Sequence, residues 1–256
     1  MRVTVCQLSD DPSRFEQDWS ALVHHVRSEE ADLVLLPEMP FTEWFAYARE
    51  YDEKTWREAV RRHQEGAEKR VSDLDPAIVV GTRPVFRGQL RHNAGFVASS
   101  ATGITDVHVK RYLPDEDGVW EASWYQAGDR SAEFETFRAG PAMAGFLICS
   151  EIWFPEHGRA MGKRGAHLLL TPRKTGTATV EKWLVAGRAV ATASGCFSLS
   201  SNSVNSRNTD FGGGSWVVGP DGEVLAVTTM DRPFATIEID PGDADRAKST
   251  YPRYMS

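Results

Sequence analysis

Cysteines are few in this chain of 256 residues, and their spacing excludes two classes of small cross-linked protein. The three of them, Cys6, Cys149 and Cys196, lie far apart, and no two are separated by only two residues. An odd, scattered set of this kind argues against a disulfide framework and against a zinc ribbon. Free thiols are typical of reducing compartments, so we expect a cytoplasmic protein.

Long apolar runs and basic clusters are also lacking. No run approaches the roughly 20 residues needed to cross a bilayer, and the first residues, MRVTVCQLSDDP, predict a strand rather than a signal peptide. The formal net charge is −7, the sequence pI is about 5.5, and Lys and Arg form no basic stripe. We therefore expect neither nucleic-acid binding nor binding to anionic membranes.

The composition is that of an ordinary folded domain, with 41% hydrophobic and 25% charged residues. No linker and no repeat of fixed period divides the chain, so we predict one domain over residues 1–256. Apolar residues at helical spacing predict helices over residues 13–28, 55–71 and 178–193. Pro155 in a first turn and Gly165 just past the end predict another helix over 155–163. Short β-rich runs predict strands over residues 2–8, 31–38, 77–81, 94–99, 105–109, 142–148, 166–170 and 197–201, with a last hairpin in 215–227. This alternation predicts an α/β fold, with a long loop over residues 111–131.

Three reactive side chains each follow a predicted strand. Glu38 follows LVLLP, Lys110 follows TDVHV and Cys149 follows AGFLI, and strand ends commonly form sites in α/β folds. Amide hydrolysis needs a nucleophile, a group that moves protons, and positive charge where the carbonyl oxygen becomes an oxyanion. A cysteine, a glutamate whose pKa is raised by burial and a lysine supply these functions. Cys149 also opens a predicted strand-to-helix turn, where free N–H groups and a nearby lysine would favour its thiolate.

The segments around these residues resemble those of the nitrilase superfamily, the carbon–nitrogen hydrolases. The glutamate lies in ADLVLLPEMPF, the lysine in VKRYLP and the cysteine in GFLICSEIWFPEHGRAMGKRGAHLLLTP, in the order found in that family. The resemblance covers nearly the whole chain, and it implies Glu38 as general base, Lys110 as catalytic cation and Cys149 as nucleophile. The cysteine segment is particularly similar to those of hydrolases that act on amides and carbamoyl-amines.

The resemblance also implies a fold, an assembly and further site residues. The fold is a four-layer αββα sandwich, and a homodimer or higher homo-oligomer pairs through the helices at 154–164 and 178–193. Neither a metal nor an organic cofactor is implied. In the loop after the lysine, Glu121 is expected to position that lysine or the attacking water, with Glu116 as the alternative. The backbone N–H of Ser150 is the expected oxyanion donor.

Taken together, these residues predict a hydrolase that cleaves a non-peptide C–N bond in a small amide or carbamoyl-amine through a cysteine thioester. Trp153 is a candidate to line the substrate pocket, and its alternative is an ordinary packing role. Arg173, just past the segment LLLTP, is a candidate to bind an anionic group of the substrate. The alternative is that Arg173 is an exposed cation on a loop and has no catalytic role.

Three other interpretations stay open at this point. A nitrile hydrolase would use the same triad, and a catalytically silent scaffold of the same fold would keep the residues without turnover. A Cys–His mechanism is the third, since His108 and His157, two of the seven histidines, lie near the motifs. The two remaining cysteines, Cys6 and Cys196, fall inside predicted strands and are expected to be inert core thiols.

Overall fold

The computed structural model describes residues 1–204 and 210–255 of the chain, in which strands and helices alternate. The described strands are β1 Arg2–Ser9, β2 Leu33–Leu35, β3 Ile78–Arg87, β4 Leu90–Ser99, β5 Gly103–Val109, β6 Thr136–Ala139, β7 Ala142–Phe146, β8 Leu168–Arg173, β9 Phe197–Val204, β10 Trp216–Val218, β11 Val224–Val227 and β12 Phe234–Glu238. The described α-helices are α1 Pro12–Ser28, α2 Glu53–Asp73, α3 Glu121–Trp124, α4 Pro155–Lys163, α5 Val180–Ser194 and α6 Pro241–Lys248.

The strands form two sheets that share β1. In the first sheet the order is β12-β1-β2-β3-β4-β5. In the second sheet the order is β6-β7-β8-β9, and on the far side of β9 its first half pairs with the β10-β11 hairpin and its second half with the end of β1. The first half of β1 pairs with β12, and its last residues, Gln7 to Ser9, pair with β9. Strands β1, β2 and β3 run parallel to one another, as do β7, β8 and β9, and β1 is also parallel to β9.

The apolar run of β2 shows how one sequence builds two layers of the core. Leu33 and Leu35 face the second sheet, whereas Val34 and Leu36 face α1 and α2 on the outer side. Alternate residues of a strand point to opposite faces, so a continuous apolar run is expected where both faces are buried.

The helices cover the outer faces of both sheets. Trp19 and Leu22 of α1 pack on the first sheet, because apolar residues three or four apart form a single stripe on a helix. Met161 of α4 and Val190 of α5 pack on the second sheet around Trp216. The layers are therefore helix, sheet, sheet and helix, and the predicted αββα sandwich is confirmed. No helix in the described part of the chain has the length and apolar character to cross a membrane.

Several elements differ from the predictions. Strand β2 is shorter than the predicted 31–38, and β3 and β8 extend further along the chain. Strands β6 and β12 and helix α6 lie outside the predicted elements. In β12 the reason is that the strand is only half-buried at a sheet edge and lacks clear alternation. The loop over 111–131 contains the short helix α3.

The shared strand direction determines where polar side chains gather. Because the parallel strands of both sheets point the same way, their carboxyl ends meet at one edge. Asp10, Glu38, Cys149 and Lys174 lie in the segments that follow β1, β2, β7 and β8. This edge is the candidate active site.

Candidate active site

Glu38 lies just past β2 and is fully buried. Its Oε1 accepts hydrogen bonds from Lys110 Nζ at 2.8 Å and from Asn93 Nδ2 at 2.7 Å. Its Oε2 is buried without a hydrogen-bond partner. Since buried polar atoms are nearly always paired, this second oxygen is the one left to exchange a proton with a bound group.

The ammonium group of Lys110, directly after β5, is held by two carboxylates. Its Nζ lies 2.8 Å from Glu38 Oε1, and 2.8 and 2.6 Å from the two oxygens of Glu121. All three side chains are at most 1% exposed. Burial lowers the pKa of Lys110, but the charges of Glu121 and Glu38 outweigh burial, and the net direction is upward. The lysine is therefore a fixed positive charge.

Glu121 is the first residue of α3, inside the predicted loop. Burial is the main cause that raises the pKa of Glu121 to about 7; Lys110 acts against it, and Glu38 adds to it. Two carboxylates around one ammonium leave an excess of negative charge, so a proton is readily held at this site. The alternative residue, Glu116, is exposed. The structure thus brings Glu121, and not Glu116, to the lysine.

Cys149 begins the 3-10 helix Cys149–Trp153, at the predicted switch from strand to helix. Its φ is +47°, a left-handed conformation that costs a non-glycine residue about 1–2 kcal/mol. Such strain persists only where the surrounding contacts enforce it. The backbone at this cysteine is therefore held in place by its neighbours.

The surroundings of the Cys149 thiol favour its protonated form. Burial is the largest cause that raises its pKa, and the Glu38 carboxylate acts in the same direction. Lys110 and a hydrogen bond with the Lys174 backbone lower the pKa only in part. The expected effect of a nearby lysine and a backbone N–H on the thiol is present, but the cost of burying a negative charge outweighs it. A base must take the proton when the sulfur reacts.

The other two cysteines are fully buried in the core. Burial raises the pKa of Cys6 to about 12 and that of Cys196 to about 11. Their thiols donate to the carbonyls of Leu35 and Ala166. The prediction that both are inert core thiols agrees with this placement.

Glu151, two residues after the cysteine, is fully buried and holds the main chain of two segments. Its Oε2 accepts from the N–H of Ile148 at 2.7 Å, and its Oε1 accepts from the N–H of Arg111 at 2.8 Å. His108 Nε2 lies 3.0 and 2.9 Å from the same two oxygens. One carboxylate thus connects the cysteine turn to the end of β5.

The histidines near the motifs are engaged with other groups. His108 Nε2 faces Glu151, and His157 Nε2 lies 2.8 Å from the hydroxyl of Tyr112. The charges that act on the Cys149 thiol come instead from Glu38, Lys110 and Glu121. These contacts favour a glutamate over a histidine as the proton acceptor.

Ser150 and Trp153 lie at opposite ends of the 3-10 helix. The Ser150 hydroxyl donates to the Tyr112 carbonyl, and its backbone N–H belongs to a first helical turn, where N–H groups lack partners within the helix. Trp153 is 47% exposed, and its ring packs on Trp183 of α5 with centroids 5.1 Å apart. Trp153 therefore lies at the surface beside α5, and this placement favours its packing role over a pocket role.

Arg173, the last residue of β8, is fully buried and not exposed on a loop. Its guanidinium donates to the hydroxyls of Ser200 and Thr175 and to the carbonyls of Gly213 and Gly214. Burial lowers the pKa of Arg173 to about 9. Because the protein itself engages these donors, the structure favours a packing role over the expected binding of a substrate anion.

Sequence reasoning missed Asn93 and the partner of Lys174. Asn93, in the middle of β4, supplies the second donor to Glu38. Lys174 Nζ lies 2.5 Å from Asp10 Oδ2, and both side chains are at most 1% exposed. A polar residue inside the apolar segment HNAGFV was the available signal for Asn93, whereas nothing in the sequence connects Lys174 with Asp10.

Comparison with known proteins places this arrangement in a family. The family model described as carbon-nitrogen hydrolase matches residues 2–249. This chain belongs to the carbon–nitrogen hydrolases. Its fold is similar to that of a carbon-nitrogen hydrolase from Helicobacter pylori G27, with a TM-score of 0.85 and 22% identity, over 99% of this chain and 94% of that one. The amidase from Nesterenkonia sp. AN1 is also similar, with a TM-score of 0.79 and 19% identity, over 99% and 98% of the two chains.

Relatives of this carbon–nitrogen hydrolase include two amidases at modest identity. An N-carbamoylputrescine amidase from Arabidopsis thaliana is 25% identical over 259 residues, which cover 94% of this chain and 85% of the relative. A 2-oxoglutaramate amidase from Bacillus subtilis (strain 168) is 26% identical over 229 residues, which cover 88% and 84%. These identities are too low to transfer a substrate by similarity alone.

Proposed function

We propose that this carbon–nitrogen hydrolase cleaves small amides or carbamoyl-amines through a thioester on Cys149. The observation that carries the proposal is the unpartnered Oε2 of Glu38, fully buried in a site where Lys110 supplies the positive charge. A base, a fixed cation and a buried thiol are the groups that acyl transfer from an amide requires. Two of the relatives are amidases, which supports the same reaction class.

The first half of the reaction forms the thioester and releases the amine. Glu38 takes the thiol proton as the sulfur of Cys149 bonds to the carbonyl carbon, and the C=O electron pair moves onto the oxygen. Lys110 and the N–H of Ser150 stabilise that oxyanion. When the carbonyl reforms, the C–N bond breaks and Glu38 returns its proton to the departing nitrogen.

The second half hydrolyses the thioester. Water gives a proton to Glu38 and bonds to the thioester carbon, and the carbonyl oxygen again becomes an oxyanion beside Lys110. Collapse breaks the C–S bond, the acid leaves, and Glu38 returns the proton to the sulfur of Cys149. Glu121, whose Oε1 accepts a hydrogen bond from Lys110 and whose Oε2 lies 2.6 Å from the same ammonium, orients the lysine throughout.

Two alternatives predict different products. A nitrile hydrolase would convert a nitrile to acid and ammonia with the same residues, and a silent scaffold would release nothing. The names of the relatives favour amides over nitriles. The buried cluster of Glu38, Lys110 and Glu121 favours an enzyme over a scaffold, because burying two carboxylates around one ammonium is costly without a function.

Ammonia release from a panel of amides, carbamoyl-amines and nitriles tests the proposal. Cys149→Ala should lower turnover by at least about 1,000-fold while the fold is kept, because it removes the nucleophile. Cys196→Ala is the matched control, since it makes the same change at a fully buried thiol on the α5 side of the second sheet. Near-normal turnover by folded Cys149→Ala would refute the covalent scheme, and release from nitriles alone would select the nitrile hydrolase.

The homo-oligomer and the single domain over residues 1–256 stay predictions. Two exposed apolar side chains support the former, since Val185 on α5 is 63% exposed and Trp153 beside that helix is 47% exposed. Sedimentation of the purified protein would measure the assembly directly.

A further inference from the structure

Two catalytic segments that are far apart in sequence meet at the carboxylate of Glu151. Its oxygens accept from the N–H groups of Ile148 and Arg111, which are the residues directly before Cys149 and directly after Lys110. The side chain of Glu151 therefore fixes the main chain of the proposed nucleophile relative to that of the lysine. It does so without entering the proton-transfer path assigned to Glu38.

His108 is the third donor to this carboxylate and holds it from the side. Its side chain is 4% exposed, and its ring packs against those of Phe134 and Phe146, with centroids 4.9 and 6.4 Å away. An ionised carboxylate only accepts hydrogen bonds, so the Nε2 of His108 is a donor here. Because the ring is packed between the two phenylalanines, the Nε2–H of His108 points toward Glu151.

We propose that His108 and Glu151 are positioning residues, which set the distance between the Lys110 ammonium and the Cys149 sulfur. The inference rests on the proposed function, because it assigns those two groups their catalytic tasks. It goes beyond that function by giving a task to residues that touch neither the substrate nor the reacting atoms. The strained φ of +47° at Cys149 supports it, since such a conformation needs contacts that enforce it.

The positioning role predicts a loss confined to turnover. A misplacement of about 1 Å between reacting groups can reduce the rate about 100-fold, whereas substrate binding depends on other contacts. His108→Phe keeps an aromatic ring between the two phenylalanines and removes the donor. We expect kcat to fall by about 10- to 100-fold and KM to stay within about threefold of the wild-type value.

Two amide variants separate positioning from packing. The amide nitrogen of His108→Gln reaches the place of Nε2 and should restore kcat to within about fivefold of wild type. His108→Asn carries the same group on a shorter side chain that does not reach Glu151, and it should be as slow as His108→Phe. His167→Phe is the matched control, since it removes the hydrogen bond between His167 Nδ1 and the N–H of Met143, away from the site. It should leave kcat unchanged.

A second readout does not depend on the substrate. The rate at which iodoacetamide alkylates Cys149, followed by peptide mass spectrometry, should fall at least about fivefold in His108→Phe and recover in His108→Gln. If wild type hydrolyses no compound of the panel, the proposed function fails and this rate still decides the positioning role. Wild-type kcat and alkylation rates in folded His108→Phe would overturn it. If His108→Phe does not fold, equal rates for the Gln and Asn variants would overturn it.

Discussion

Replacing Lys110 by methionine tests whether the site is held together by one shared cation. Methionine keeps much of the length and volume of the lysine side chain but carries no charge. The two carboxylates that the ammonium holds, from Glu38 and Glu121, would remain fully buried without a counter-charge. The change therefore isolates the electrostatic part of the arrangement.

The structure gives the expected size and sign of the effect. Removing one partner of a buried ion pair costs about 3–5 kcal/mol, and two carboxylates depend on this lysine, so we expect about 5 kcal/mol near pH 8. Lys110 lowers the pKa of Glu121, so without the cation that pKa, which burial already raises above its unfolded value, rises further. The folded variant then binds protons that the unfolded chain releases, so the loss of stability is smaller at about pH 5.5 than at about pH 8.

Urea unfolding of Lys110→Met and wild type at both pH values measures this difference. For a domain of this size, about 5 kcal/mol corresponds to a fall in Tm of about 10–20 °C. Lys182→Met, at an exposed position of α5, is the matched control and should change little. A loss below about 1 kcal/mol near pH 8, or an equal loss at both pH values, would show that the carboxylates are not held as described.

Two further variants test the same site and the helix packing behind it. Because burial raises the pKa of Glu121 in the folded chain to about 7 from 4.5, the stability that this group contributes is present below its unfolded pKa and lost as pH rises through 7. In parallel urea titrations, the free energy of unfolding of wild type should fall by on the order of 2 kcal/mol between about pH 5.5 and pH 8 relative to that of Glu121→Gln. An identical pH dependence of the two proteins would contradict the raised pKa of Glu121. A Cβ added at Gly162 would lie 2.3 Å from the Ser194 carbonyl oxygen, where α4 packs on α5. Gly162→Ala should therefore destabilise the fold by about 1–3 kcal/mol, and an unchanged Tm would contradict that close approach.

Much of the fold was predictable because the core repeats a simple pattern. The run LVLL, which comprises β2 and Leu36, is buried on both faces, as a continuous apolar run predicts. The apolar stripe of α1 packs on the first sheet, as its helical spacing predicts. Strand ends also located the reactive residues, since Glu38 and Cys149 follow parallel strands that share an edge. The motifs then separated these residues from other acidic and thiol side chains.

The remaining features depend on contacts between distant segments. The resemblance ranked Glu121 above Glu116, but periodicity could not decide between them, because irregular loops follow no period. The engagement of Arg173 by groups from two distant segments was equally hidden. The raised pKa of Cys149 arises from burial by the surrounding layers, and a turn motif read alone predicts the opposite direction.

The raised pKa of the Cys149 thiol suits the proposed chemistry better than a preformed thiolate. In a buried site, separating new charges is expensive, whereas moving one existing charge is less so. Before attack, the negative charge lies on Glu38; after attack, Glu38 is neutral and the charge lies on the carbonyl oxygen. The net charge of the site is unchanged, and Lys110 balances it in both states. A neutral thiol at rest also keeps the cysteine less reactive toward alkylating and oxidising agents until a carbonyl is in place to receive that charge.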